Sequence, residues 1–492
     1  MLFTSVTANH TYKLSNFCHL FSHDDKYALY HSLNMNVIYG DHLLGEIVAY
    51  FQNLCIPSVV LEKLPQQDES KATTLIERLI QLNILVEEGC DQKYLEQAQT
   101  SRPKPHIQTL DLILTWGCNF DCSYCYVIKH SARLAPKIIP LETLKRTIDV
   151  FFELSRENIG SREIVFFGGE PLLAKKRVLD TFEYIDKLKA SHSTIFVLVT
   201  NGSLVDEEFA KILAEHKTFV IISIDGDEYQ HNIARKDHRG KNTYTKVRKG
   251  YEILTKVGCK TSVCVTVSHH NIEELSNQVI NLVQDLSPND LMVNSCLHST
   301  QTNDYRVNPD RFVDQLIKLI CHLRTNGPYL EQVARRLLPF VEQRPVYNYC
   351  PAYGNKIVAG PDGSIGFCES FLQLGLHTLK DNRTELIENK DYDMWSKLPA
   401  LYSPVCQKCP ALGVCGGGCK YDAYTWSGEL SGNDVYFCQQ QKKFLEWMIW
   451  DLYNQNKSLM GSEACYWDPT IDQRRKILGL LDDGTKNLVS WR

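Results

Sequence analysis

Ten of the chain's eighteen cysteines fall into two groups whose spacings suit metal ligands. The first is Cys118, Cys122 and Cys125, a C-x3-C-x2-C triplet on a Gly-Cys-Asn-Phe loop just after the apolar run Leu112 to Leu114. The second is Cys350, Cys368, Cys406, Cys409, Cys415, Cys419 and Cys438, with glycines between them. Three thiolates can hold only three irons of a cubane [4Fe–4S] cluster, whereas an electron-transfer cluster is normally closed by four cysteines. The iron left open is a place for chemistry, so the triplet points to an enzyme. Zinc is the first competitor, because C-x2-C is also a zinc half-site. A zinc site would want a second C-x2-C or a His pair nearby, and His130 alone supplies neither.

The elements that must position the triplet lie between about 108 and 300. Strand-like runs occur at Leu110–Thr115, Glu163–Phe167, Ile195–Thr200, Phe219–Ile224, Thr261–Val267 and Leu291–Asn294. Helical patterns near 141–156, 172–190, 204–215, 244–257 and 272–286 separate them. Strands alternating with helices in this way predict parallel pairing with right-handed crossovers. Both an open doubly wound sheet and a partial barrel satisfy that pattern. In either, chemistry collects at the carboxyl ends of the strands. Gly117–Cys125 follows the first strand, Gly168–Pro171 the second, Asn201-Gly202 the third and Asp225-Gly226 the fourth, which argues for one site.

The rest of the composition narrows the class. At 492 residues the chain exceeds one ordinary core, and two or three domains are expected. A net charge of −5, from 53 basic and 58 acidic residues, gives no electrostatic case for nucleic acid or an anionic membrane. The N-terminus (Met1 to Leu14) lacks the charged start and apolar stretch of a signal peptide, and no run approaches a membrane span. So many cysteines without a secretion signal argue for reduced thiols, metal binding and the cytoplasm. Of the eight remaining cysteines, Cys264 sits in an alternating apolar run and reads as a core residue.

The triplet, with aromatic Tyr124 before its last cysteine, resembles that of radical S-adenosylmethionine (radical SAM) enzymes. The resemblance implies a partial (β/α)6 barrel over 101–305. Gly168-Gly169-Glu170-Pro171 resembles the family's GGEP motif, in which exposed backbone and a carboxylate receive the SAM methionine amino group. Tyr124 resembles the aromatic that packs near adenine. Ser223-Ile-Asp225-Gly226, with Arg235 beyond it, resembles the segment in which a Ser meets the ribose and an Arg the methionine carboxylate. The usual His-Asp pair is His231-Asn232 here, so that match is partial, and Arg235 reads equally as a solvated charge near a helix start.

The C-terminal set resembles a SPASM domain, the cysteine-rich extension of many radical SAM maturases, at 350–440. By that resemblance Cys406, Cys409, Cys415 and Cys438 hold a distal auxiliary cluster and Cys350, Cys368 and Cys419 a proximal one. No cysteine occurs from Pro351 to Val358, where some family members have an eighth, which leaves the proximal cluster an open iron or a non-cysteine ligand. One or two zinc sites are the competing reading. Residues 306–349 read as a helical connector, and 441–492 as a helix (Gln440 to Tyr453) and a tail without motifs.

Residues 1–100 are set off by Ser101-Arg-Pro-Lys-Pro105, which suits an exposed linker. Short strands (Thr11–Leu14, Tyr27–His31, Asn36–Tyr39) precede helices near 42–53, 57–63 and 71–83, like a winged-helix module. The last helix carries only Lys71 and Arg78 as positive charges, which argues against nucleic acid. The order is similar to peptide-recognition domains fused to enzymes that modify ribosomally made peptides, where a leader adds as a strand to a sheet edge. A structural extension is the plainer alternative.

Together the resemblances imply an α/β radical SAM oxidoreductase with three [4Fe–4S] clusters, one binding SAM and two auxiliary. Its 5′-deoxyadenosyl radical would take a hydrogen from a precursor-peptide residue and lead to a C–C or thioether cross-link, with flavodoxin or ferredoxin as electron donor. A sulfatase-maturating enzyme making formylglycine from Ser or Cys, and a non-catalytic multi-cluster electron carrier, are the alternatives. His269, His270, His298 and Asp225 are acid–base candidates that the sequence does not rank.

Overall fold

The computed structural model describes residues 10–127, 137–156, 160–297, 305–376, 378–379, 390–459 and 465–479. His130 and His298 lie outside these residues.

The N-terminal part opens with β1 (Lys13–Leu14), β2 (Cys18–His23), β3 (Lys26–His31) and β4 (Val37–Gly40). Helices His42–Tyr50, Pro57–Leu61 and Glu69–Gln81 follow, then β5 (Leu85–Val86) and the helix Cys90–Ser101. Strands β2, β3 and β4 form an antiparallel meander, and β1 pairs with β5. Alternation along β3 and β4 gives the meander two buried faces. Leu29 and Ile38 pack with the three helices, whereas Tyr30, Val37 and Tyr39 join the core of the main body. The expected exposed linker is only partly so. Pro103 and Lys104 are exposed, but Arg102 is buried and donates to Ser396 O (2.5 Å), Asn348 Oδ1 (2.8 Å) and Tyr353 O (3.4 Å).

The main body is a parallel sheet in chain order. Strands β6 (Thr109–Thr115), β7 (Arg162–Gly168), β8 (Thr194–Thr200), β9 (Phe219–Ser223), β10 (Thr261–Val267) and β11 (Asp290–Ser295) each pair in parallel with the next. Helices Leu141–Leu154, Lys175–Lys187, Glu207–Glu215, Tyr244–Lys256 and Leu275–Leu286 fall between them, close to the expected bounds. Val263, Val265 and Val267 of β10 are fully buried against helices, while Cys264 and Thr266 turn to the other face. Side-chain alternation thus separates packing from site within one strand.

Later segments widen this sheet. β12 (Tyr329–Leu330) pairs in parallel with β11, and β13 (Lys356–Ala359) in parallel with β6. β14 (Ile365–Gly366) and β15 (Thr378–Leu379) continue antiparallel, giving ten strands in all. The connector carries the helix Pro309–Asn326, a π-helical turn at Val333–Leu337 and the helix Leu338–Glu342. The cysteine-rich part is mostly short helices and loops, followed by the helix Val435–Asn456. The tail is not featureless: β16 (Tyr466–Trp467) pairs antiparallel with β4. Arg474 is buried there and donates to Phe340 O and Met35 O, both at 3.0 Å. Among the described residues no helix is long and apolar enough to cross a membrane.

Candidate active site

The triplet loop leaves β6 and is fastened at both ends. Gly117 N–H donates to Thr115 Oγ1 (3.1 Å), and Cys125 N–H to Cys122 O (3.0 Å). Segment 234–238 straps it from outside: Ser123 N–H donates to Ala234 O (3.0 Å), Asp121 N–H to Lys236 O (2.8 Å), and His238 Nε2 meets Cys118 O (2.8 Å). The three thiols interact electrostatically with one another. Burial pushes the Cys118 thiol up to about 12, so only a bound metal would hold these sulfurs as thiolates at neutral pH.

The glycine motif forms the next wall. A Cβ on Gly169 would lie 2.3 Å from Gly117 O, and one on Gly168 2.3 Å from Thr115 O, with φ of Gly168 at +133°. Only glycine lets the end of β7 pass this close to the cysteine loop. Glu170 lies behind the pair and is 1% exposed. Its Oε1 accepts from Leu172 N–H (2.9 Å) and Thr200 Oγ1 (2.7 Å), and its Oε2 from Asn201 N–H (2.8 Å). In this structure the carboxylate ties the end of β7 to the end of β8.

Asp225, Arg235 and Tyr124 form a buried unit. Arg235 donates from Nε to Asp225 Oδ2 (2.8 Å) and from its NH2 nitrogen to Oδ1 (3.1 Å). Thr266 N–H also donates to Asp225 Oδ1 (3.0 Å), the Tyr124 hydroxyl donates to Oδ2, and the guanidinium stands 5.4 Å from the Tyr124 ring centre. At 6% exposure Arg235 is no solvated helix-start charge. The sequence shows both residues, but a separation of ten positions across a loop does not announce their pairing. His231 is fully buried against Thr243, and burial lowers its pKa to about 3, so it supports the fold as a neutral ring.

These walls enclose a cavity of about 510 Å³, within the range of small-molecule sites. Of the expected site residues, Cys118, Cys122, Tyr124, Cys125, Gly168, Gly169, Ser223, Arg235 and Cys419 line it; Glu170 does not. Cys264, expected in the core, lines it as well. Neither His269 nor His270 is part of the lining; they pack on each other, 3.9 Å between ring centres, beside Tyr305.

The opposite end of the cavity belongs to the cysteine-rich part. Cys350, Cys368 and Cys419 interact with one another, and Cys406, Cys409, Cys415 and Cys438 form a second mutually interacting set. Among the described residues no three His, Cys, Asp or Glu side chains converge on one ion position. The thiols beside the glycine cradle, and the two further sets, fit cluster binding.

Sequence reasoning missed Glu369, which lines the cavity next to Cys368. Its Oε2 accepts from Lys356 Nζ (3.0 Å), which also donates to Asp111 Oδ2 (2.6 Å). Burial is the largest influence on Glu369 and would raise its pKa, but the Lys356 charge, its hydrogen bond and a backbone N–H together hold the carboxyl below its ordinary value. Glu369 thus presents an ionised carboxylate to the cavity. No motif marks it; only its place directly after Cys368, an expected ligand, could have drawn attention to it.

Comparison with known proteins agrees with this site. The radical SAM superfamily model matches residues 112–277. The cysteine-type anaerobic sulfatase-maturating enzyme of Clostridium perfringens is 27% identical over 367 residues, covering 69% of this chain and 95% of that protein. The radical SAM cyclopropyl synthase TigE of Paramaledivibacter caminithermalis is 20% identical over 449 residues, covering 87% and 93%. The solved structure of native anSMEcpe with bound AdoMet and Cp18Cys peptide superposes with a TM-score of 0.61 at 24% identity, over 72% of this chain and all of that one. The cysteine triplet and its parallel sheet are thus those of a radical SAM domain. Residues 112–277 are a radical SAM domain, and the chain is homologous to the sulfatase-maturating enzymes and to TigE.

Proposed function

We propose that this enzyme is a peptide maturase of the SPASM type, which installs a C–C or thioether cross-link in a ribosomally made precursor. The observation that carries the reading is one cavity bounded by the triplet and glycine cradle at one end and by Cys419 and Glu369 at the other. A substrate side chain held there would meet both ends. The domain division offered above (1–100, 101–305, 306–349, 350–440, 441–492) follows the same logic. A partial barrel is supported by packing: inner-face residues of β7 to β11 gather in one cluster, among them Val165, Val197, Ile221, Cys264 and Met292.

When bound, the triplet cluster and SAM would supply a 5′-deoxyadenosyl radical, and two auxiliary [4Fe–4S] clusters a route for the electron left behind. The protein's own part is positional. Gly168 and Gly169 would present backbone to the SAM methionine, with Glu170 fixing their turn. Tyr124 and Ser223 would flank the nucleoside, and Arg235, oriented by Asp225, would face the carboxylate. Glu369, kept ionised by Lys356, would face the substrate as a fixed negative charge and hydrogen-bond acceptor. An electron donor such as flavodoxin or ferredoxin, and a cytoplasmic setting, complete the reading.

The N-terminal part would hold the leader peptide as an added strand in a winged-helix-like module. Because Tyr466–Trp467 already covers the β4 edge, the edge left for that strand is β2, Cys18–His23. The second reading, formylglycine formation, is favoured by the similarity to the sulfatase-maturating enzyme.

Anaerobic reconstitution with iron and sulfide, followed by reductant, SAM and candidate peptides, tests both. Cross-linking is read as 5′-deoxyadenosine plus a peptide lighter by two hydrogens with a new internal bond. Formylglycine instead gives an aldehyde that traps hydrazine. Absence of 5′-deoxyadenosine from fully loaded protein would end both readings.

A further inference from the structure

Arg336 is a buried cation without an ion pair among the described residues, and the carboxylate within its electrostatic reach, Glu331, pairs with Arg335 instead. Arg336 sits on the π-helical turn Val333–Leu337, is 8% exposed and lines the cavity. It makes no ion pair or hydrogen bond among the described residues, and one of its terminal nitrogens is fully buried without a partner. Its neighbours are the rings of Phe437 (5.8 Å) and Phe444 (5.4 Å), which favour a cation's face but do not neutralise it. The preceding Arg335 differs: it pairs with Glu331 and lies over Tyr349. A guanidinium removed from water without a counter-charge is strongly disfavoured, so the fold holds this position for an anion.

The location says which anion. Arg336 lies 5.8 Å from the ring of Phe437, the residue before Cys438, and within electrostatic reach of Tyr349, Glu331 and then Cys415, so two residues of the distal set's segments border it; Arg335 is within reach of Cys350, a thiol of the proximal set. The Cys415–Cys419 loop joins the two sets, and its Gly416 carbonyl accepts from Tyr349 N–H (3.0 Å), so it is pinned beside the aromatic that Arg335 covers. Iron–sulfur clusters held by thiolates are net anions whose potential responds to nearby charge.

We infer that Arg336 is the counter-charge of the distal auxiliary cluster and raises its reduction potential, so that this cluster accepts the electron from the substrate side. The inference rests on the reading that both auxiliary clusters assemble. Arg336 is a positioning and tuning residue rather than a ligand.

The test is a potentiometric titration of reconstituted protein, followed by electron paramagnetic resonance, beside iron and sulfide analysis. Wild-type protein with about 4 irons per chain rather than about 12 would remove the two-cluster reading itself. With about 12 present, Arg336→Gln lowers the midpoint potential of one auxiliary cluster and leaves the triplet cluster unmoved, while Arg336→Lys stays near wild type. If Arg336→Gln loses auxiliary iron while Arg336→Lys keeps it, the charge requirement is equally supported. Unchanged potentials in Arg336→Gln overturn the inference, and a changed KM for an acidic peptide in that case reassigns the guanidinium to substrate. Loss of auxiliary iron in both variants overturns it too, because the lysine retains the charge.

Discussion

At the triplet end of the cavity, Glu170, Asp225 and Arg235 are all satisfied by neighbours within the protein. At the cysteine-rich end Arg336 has no such partner, and burial pushes up the pKa of Cys368 in one set of thiols and Cys415 in the other. The first end stands on β6 to β10, where backbone ladders and helix packing fix the strand ends before any ligand arrives. The second stands mostly on loops and four- to eight-residue helices, with Cys438 in the first turns of the helix Val435–Asn456. The difference teaches that one radical SAM cavity combines a preformed wall with a wall whose electrostatics close only when metal is present.

The largest effect should come from removing one triplet thiol. Cys118→Ala abolishes 5′-deoxyadenosine formation, yet retains about two-thirds of the iron, because the auxiliary sets use other cysteines. Loss of all iron would show that the two ends assemble as one unit and would break the comparison. Next, hydrogen exchange of metal-free against reconstituted protein should show protection gained at 406–438 and little change in Phe219–Ser223. Equal gains in both would mean that the sheet end is not preformed.

Asp225→Asn probes the preformed end directly. It leaves Arg235 buried with a neutral partner, and the expected destabilisation is about 3–5 kcal/mol, read from denaturant unfolding. A loss under about 1 kcal/mol would indicate that the guanidinium can turn into the cavity without its carboxylate.

The same division explains what the sequence reveals. The six parallel strands and their helices follow from period-two and period-3.6 apolar patterns, and every expected strand from Leu110 to Asn294 forms within two residues of its bounds. Strand β2 escaped because Cys-His-Leu-Phe-Ser-His has little apolar alternation; its hydrogen bonds to β3 hold it. β13 escaped because four residues carry no period, and its parallel pairing to β6 is a long-range contact. The division of the later cysteines into two auxiliary sets comes from the resemblance that their order carries, not from spacing alone. Arg336 and Glu369 gain their meaning only from neighbours far along the chain, which no local pattern encodes. Cys264 was misread because alternation says that a strand has two faces, not which one meets a cavity.

The seam between the two ends offers the mildest test. Glu163 begins β7 near Asp111, which bonds Lys356 of β13. Burial, then the Asp111 charge, raises its pKa to about 7 from an ordinary 4.5. A carboxyl with a raised folded-state pKa binds more protons folded than unfolded between those values, so its contribution to stability is fully present below about 4.5 and is lost as pH rises through about 7. Glu163→Gln should therefore match wild type in acid, gain stability relative to it across that interval, and keep a constant advantage above it, measured as the difference in urea midpoint. The change leaves the triplet and auxiliary thiols untouched, so iron content and SAM cleavage stay at wild-type level. A midpoint difference independent of pH would mean that Glu163 is solvated at the seam, and that the sheet and the cysteine-rich part meet less tightly there than Lys356 suggests.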